Sequence, residues 1–95
     1  MILARVAGTV VADRRSDSIS GARYLLTELC TADGAPLSEH LVAIDPLGAG
    51  LGEVVLISQG SSARQTALTD KKPIDAVIVG IVDMIEELGS VVYRK

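Results

Sequence analysis

Gly48, Gly50 and Gly52 alternate with Ala49 and Leu51, then run straight into Glu53-Val54-Val55-Leu56-Ile57 and a second turn, Gly60-Ser61-Ser62-Ala63-Arg64. Glycine reaches backbone conformations and close approaches that other residues do not. The spacing therefore predicts a loop that passes something at short range before a buried strand begins. A helix after the glycines would suit a phosphate, because a pyrophosphate sits on a helix N-terminus in dinucleotide sites. A β-branched run follows instead. The spacing also departs from Gly-x-Gly-x-x-Gly, and the chain has no Gly-Lys-Ser/Thr of a phosphate loop. A glycine-lined turn at a crowded contact, with no cofactor, is the expected reading.

The rest of the chain reads as short strands. Ile2 to Ala12 is rich in valine and small residues, with Gly8 at a bend or bulge. Asp13 to Gly21 is polar and reads as a surface loop. Tyr24 to Thr31 is a second strand ending at Ala32-Asp33-Gly34, and Asp-Gly between apolar runs is a strong hairpin signal. Leu41 to Ile44 is a third strand cut off by Asp45-Pro46, since proline holds its predecessor extended. Val54 to Ser58 is the fourth. Ser61 to Leu68, capped by Ser61 or Ser62, predicts one helix of two turns at most, ended by Lys71-Lys72-Pro73. Asp75 to Ile85 is the fifth strand, apolar on both faces and so covered on both sides. Glu86 to Ser90 is the last turn, and Val91 to Arg94 a closing strand. The predicted fold class is all-β: a small closed OB-like barrel of about five strands with one short helix. No repeat or linker divides the chain, so residues 1–95 are expected to form one domain.

Composition adds a constraint on assembly. Apolar residues make up 48% of 95 residues, yet there is no Trp or Phe and only two Tyr, so small aliphatic side chains carry the apolar surface. A domain of this size has a thin core. Apolar surface in excess of one core is buried against partners, which predicts an oligomer. The net charge of −3 argues against nucleic acid or an anionic membrane as partner. A single-strand binder on a barrel would also need stacking platforms, and only Tyr24 and Tyr93 are present. The Met-Ile-Leu-Ala-Arg start lacks the order of a signal peptide. The longest apolar-plus-Gly run, Ala76 to Val82, is far short of the roughly 18 residues of a membrane span. A soluble, intracellular protein is expected.

Catalysis finds few partners. One cysteine, Cys30, and one histidine, His40, exclude an intrachain disulfide and a multi-Cys zinc cluster and leave little for a metal or an acid–base pair. Gly60-Ser61-Ser62 lacks the Gly-x-Ser-x-Gly of a nucleophile elbow. Gly60 to Arg64 reads either as an anion site or as a helix cap whose Arg64 pairs with a carboxylate such as Asp75 or Asp83, and the cap is favoured. Asp83, at the end of an apolar run, is costly unless exposed or paired, and reads as holding a turn or an interface. Glu86 and Glu87 read as surface residues. No enzyme, cofactor or metal is expected. A small-barrel module binding an anion, a metabolite or single-stranded nucleic acid is the alternative.

These pieces, in this order, resemble the EutN/CcmL family, the pentameric vertex proteins of bacterial microcompartment shells. The resemblance is carried by Gly8-Thr9-Val10-Val11, Gly21-Ala22-Arg23-Tyr24-Leu25-Leu26, Asp33-Gly34, Val42-Ala43-Ile44-Asp45 and Gly48 through Leu56. It continues in Gly60-Ser61-Ser62-Ala63-Arg64, Pro73-Ile74-Asp75-Ala76, Ile78 through Asp83 and the closing Val92-Tyr93-Arg94-Lys95. Tyr24, Arg23 and the basic Arg14-Arg15 pair depart from the usual family pattern. The resemblance implies an OB-like barrel, a cyclic homopentamer with a narrow axial pore, and a structural role at the vertices of a cytoplasmic shell otherwise tiled by hexameric shell proteins. Carboxysome and catabolic shell (metabolosome) remain alternatives. Under this reading Gly48, Ala49, Gly50, Gly52, Glu53, Gly60, Ser61, Ser62, Arg64 and Asp83 are the candidate interface or pore residues, with Arg64 as a clamp on the neighbour.

Overall fold

The computed structural model describes residues 1–11, 23–60 and 76–95. The predicted surface loop, the predicted helix at Ser61 to Leu68, and Ser61, Ser62 and Arg64 lie outside the described residues. Within them the regular elements are strands: β1 (Ile2–Val10), β2 (Arg23–Cys30), β3 (Pro36–Asp45), β4 (Val54–Gln59), β5 (Ala76–Ile81), β6 (Met84–Glu87) and β7 (Ser90–Arg94). The first five close a barrel in the order β1-β2-β3-β5-β4, with β4 returning antiparallel to β1 and only β3–β5 parallel. Closure removes the exposed edges that an open sheet of this size would carry.

Strand alternation fills the interior. Ala4 and Val6, Val55 and Ile57, and Ala76 and Ile78 sit two apart and point inward with Leu25 and Ala43. Most of these side chains are small, as a narrow barrel requires. Thr27 is also fully buried, and its hydroxyl donates to the Leu41 carbonyl at 2.7 Å, so the group is satisfied where an orphan would be costly. Ile44, Val54 and Val77 alternate with interior residues and are nonetheless buried. Ile44 lies opposite Val77 across the β3–β5 pair. The fifth strand is thus covered on both faces, as its sequence implied.

Gly8 sits at the predicted irregularity, where the β1–β2 register shifts between Val6 and Gly8. Asp33-Gly34 forms the predicted turn: Gly34 N donates to Thr31 O, Thr31 N to Ala35 O, and Gly34 adopts φ 87°. Three expectations need correction. The third strand begins at Pro36, not Leu41. Its first half is exposed and polar, and proline is tolerated because it stands at the strand's first position.

The fifth strand stops at Ile81 instead of running to Ile85. Val82 N still donates to Val54 O at 2.8 Å, but Met84–Glu87 pairs with β7 and not with the barrel. Apolar residues on both sides of Asp83 conceal a change of partner. Glu86 and Glu87, read as turn residues, therefore belong to a strand. The turn itself is Leu88-Gly89, with φ 52° and 84°. That is the pair of positive angles that matches the twist of a two-residue hairpin.

Candidate functional site

The glycine loop leaves β3 at Asp45, and the Asp45 carboxylate organises it. Its side chain is fully buried. Oδ1 accepts from Leu47 N at 2.9 Å and Gly48 N at 3.1 Å, and Oδ2 accepts from Ala49 N at 2.8 Å. Arg23 donates to Oδ2 at 2.8 Å and to the Ala49 carbonyl at 2.9 Å. Asparagine and aspartate characteristically bond the backbone just ahead of them in turns. Here one side chain takes three successive N–H groups. Ala49 is thereby seated in the barrel's own interior, while Leu47 and Leu51 are exposed.

The glycines divide into two kinds. Gly48 and Gly52 take φ 84° and 83°, and a Cβ at either would meet nothing within 4 Å. Among the described residues they are glycines because of backbone angle, and no close neighbour of the kind that the spacing suggested stands against either. Gly50 has an ordinary φ, and its Cβ would lie 3.2 Å from Glu53 Oε1. Gly48→Ala and Gly52→Ala are each expected to cost about 1–2 kcal/mol, the cost of a left-handed residue with a side chain, and Gly50→Ala less. Chemical denaturation of the three variants checks the ranking; three equal losses would contradict it.

The loop is tied to the C-terminal hairpin by two cations. Arg5 Nη1 donates to Gly52 O at 2.7 Å and Nη2 to Gly34 O at 3.3 Å, with the guanidinium 5.7 Å from the centre of the Tyr93 ring. Lys95 Nζ pairs with Glu53 Oε2 at 2.8 Å, and Glu53 Oε1 accepts from Gly50 N at 2.5 Å. Asp83 is solvent-facing, 4.0 Å from Lys95 Nζ, and its carbonyl accepts from Lys95 N at 2.8 Å. Its contacts with Lys95 lie at the base of the hairpin.

The Lys95 ammonium and then the Gly50 N–H hold the Glu53 carboxyl below its usual range, and Glu53 in turn raises Lys95. Glu53's contribution is present above the ordinary carboxylate pKa and is lost as pH falls through its depressed folded value. The raised Lys95 contribution is present below the ordinary lysine pKa and is lost as pH climbs through its folded value. Carbon-detected NMR titration is expected to show a Glu53 midpoint below that of an ordinary glutamate, moving upward in Lys95→Ala. An unmoved midpoint would mean that the pair does not form.

The structure brings Gly48, Ala49, Gly50, Gly52 and Glu53 into one loop and sets Asp83 beside it through Lys95. Gly60, φ 64°, lies at the other end of β4. Asp45, Arg5, Arg23 and Lys95 were not among the sequence candidates. Asp45-Pro46-Leu47-Gly48 is an Asx-turn signature that could have drawn attention to Asp45; nothing in the sequence marks Arg5. Cys30 ends β2 as a buried strand residue, and burial pushes its thiol pKa up. His40 is exposed on β3.

The sequence matches the family described as "Ethanolamine utilisation protein EutN/carboxysome" over residues 1–83. It is 44% identical over 95 residues to the carboxysome shell vertex protein CcmL of Gloeobacter violaceus, spanning 100% of this chain and 95% of that protein. It is 41% identical to the bacterial microcompartment shell vertex protein EutN of Salmonella typhimurium, over 100% of this chain and 96% of the relative. Among solved structures, Gloeobacter violaceus CcmL superposes with a TM-score of 0.93 at 44% identity, covering 100% of this chain and 98% of the other. The pentameric microcompartment shell protein GrpN of Rhodospirillum rubrum superposes at 0.83 and 42% identity, over 93% of this chain and 100% of GrpN.

Proposed function

This chain belongs to the EutN/CcmL family, and from that premise we propose that it is a structural, non-catalytic protein: a cyclic homopentamer that caps the fivefold vertices of a bacterial microcompartment shell. The observation that carries this reading is the end-to-end similarity to shell vertex proteins, one of whose relatives is solved as a pentamer. Residues 1–95 act as one vertex domain, and the partners are four further copies and the shell proteins that surround the ring.

The physical chemistry supports the same assembly. A head-to-tail contact closes into a ring when its rotation divides a full turn, and each subunit then offers two different surfaces. The glycine loop, built from Gly48, Ala49, Gly50, Gly52 and Glu53, is proposed as one of them. Its backbone is rigidly tied from within by Asp45 and Arg23, while Leu47 and Leu51 are left outside at 49% and 79% exposure. Rigid loops that expose leucines lose little entropy on docking. Gly60, Ser61, Ser62, Arg64 and Asp83 are proposed as contributors to the same ring contact or to its pore, with Arg64 clamping the neighbour.

Native mass spectrometry tests the assembly. Five copies of the 9.9 kDa chain are expected, and a strict monomer at micromolar concentration would overturn the reading. Leu51→Glu is expected to shift the distribution toward smaller species while the monomer's thermal transition holds. A ring unaffected by that charge would remove the glycine loop from the interface.

A further inference from the structure

Between the β2–β3 turn and the β6–β7 hairpin lies an open cleft of about 510 Å³, lined by Thr31, Ala32, Asp33, Ala35, Glu87 and Val92. Both of its walls are fixed from within the chain. The turn is closed by its backbone hydrogen bonds at 2.9 Å and capped by Asp33, whose Oδ1 accepts from the Thr31 hydroxyl and from Ala35 N at 3.2 Å. The hairpin is anchored by Tyr93, which packs beside Gly34 and lies under the Arg5 guanidinium. Val92 and Glu87 line the opposite side of the cleft, which is not filled by either element.

The lining has one chemical character. Ala32, Ala35 and Val92 give short aliphatic walls, while Asp33 and Glu87 give two carboxylates, and no cation lines the cleft among the described residues. Hydrogen bonds from Thr31 and then Ala35 N hold the Asp33 carboxyl below its usual range. Among the described residues, the Glu87 side chain makes no hydrogen bond and no ion pair, while its backbone pairs with Ser90. Arg5, behind Gly34, is already committed to two carbonyls and the Tyr93 ring. The complement to such a cleft is an aliphatic stem ending in a positive head. The stem packs on the alanines and valine, and the head meets the carboxylates.

We propose that this cleft is a docking site for a lysine or arginine side chain presented by a different protein of the shell. The inference rests on the vertex reading, in which a ring must also hold on to the components around it. The cleft lies toward the tip of the hairpin, at Glu87 and Val92, whereas the hairpin's base, at Asp83 and Lys95, adjoins the glycine loop assigned to the ring contact. The cleft and the glycine loop are therefore different surfaces of the subunit.

The test uses the full chain with carbon-labelled alanine and valine methyls, titrated with acetyl-Gly-Arg-Gly-amide and with its Gln counterpart, alongside native mass spectrometry. The arginine peptide is expected to shift the Ala32, Ala35 and Val92 methyls saturably. It should bind at least about threefold more tightly than the glutamine peptide, and lose about threefold in Glu87→Gln, as partly exposed ion pairs do. Glu87→Lys should abolish the shifts and leave a ring of five. The proposal is overturned if the three methyls do not move, if glutamine binds as well as arginine, or if Glu87→Lys breaks the ring, which would place another copy of this chain in the cleft. A wild-type chain that stays monomeric overturns the vertex reading instead, and the methyl response still decides the chemistry of the cleft.

Discussion

Asp45→Ala is expected to destabilise the fold by about 3 kcal/mol, since hydrogen bonds to a charged group contribute about 1.5–3 kcal/mol and an unsatisfied buried donor costs about 1–3 kcal/mol. The loss does not come mainly from the ion pair. Arg23 is half exposed, so water takes over much of its charge once Asp45 is gone, and an exposed pair contributes little in any case. The Ala49 N–H has no such recourse while the loop keeps its shape, because its bond to the vacated carboxylate is buried, and the N–H groups of Leu47 and Gly48 each lose a part-buried one. Each unsatisfied buried donor costs about 1–3 kcal/mol.

The loop's alternative is to open, which pulls Ala49 out of the barrel interior and exposes the backbone of Gly48 and Gly52. Asp45→Asn keeps the shape but turns an NH₂ toward an N–H donor, so a smaller loss, about 2 kcal/mol, is expected. A domain has only about 5–15 kcal/mol in total. Asp45→Ala should therefore lower the yield of folded chain as well as the denaturation midpoint. Equilibrium denaturation at neutral pH reads both variants, and an Asp45→Asn midpoint equal to wild type would show that the carboxylate is not the organiser.

What could be read from the sequence follows the range of the interactions. Strands whose partners are signalled locally were legible: the Gly8 bulge, the Asp33-Gly34 turn, and the Val54 strand that begins at the glycines all have turn chemistry at their ends. β5 and β6 were merged because Val82-Asp83-Met84 contains neither glycine nor proline, and β-propensity does not say which strand a segment pairs with. The first half of β3 was missed because Pro36, Ser38, Glu39 and His40 look like a loop. Strand conformation there is imposed by pairing with β2, where Glu28 lies opposite His40 and Cys30 opposite Pro36. Within the site, the glycines were visible but their reason was not. The angle at Gly48 depends on a carboxylate before it and that at Gly52 on a β1 backbone group, since Gly52 N donates to Val6 O at 2.9 Å. The Lys95–Glu53 and Arg5–Gly34 contacts join residues far apart in sequence, and no local pattern encodes them.

Arg5→Ala is expected to uncouple the β6–β7 hairpin from the barrel without unfolding the barrel. A two-stranded hairpin is marginal on its own, and this one has no ladder to the five-stranded barrel. Arg5 supplies hydrogen bonds on two sides, to Gly52 O and Gly34 O, and lies over Tyr93 of the hairpin. Charged hydrogen bonds contribute about 1.5–3 kcal/mol and an exposed cation–π contact about 0.5–1 kcal/mol. A local loss of about 2–3 kcal/mol follows, or roughly 30- to 150-fold faster amide exchange at Ile85, Val92 and Tyr93 by the usual conversion of 1.4 kcal/mol per tenfold. Protection at Ala4, Val55 and Ile57 should hold, and uniform loss across the chain would contradict a local role. Arg5→Lys should fall between, because an ammonium lacks the fork that spans two carbonyls. Gly34→Ala separates the causes further. Its Cβ would collide with Arg5 Nη2 while its φ of 87° is unfavourable for alanine. In the Arg5→Ala background the collision is gone and the backbone cost of about 1–2 kcal/mol remains, so the two substitutions should be less than additive by the part that belongs to the guanidinium.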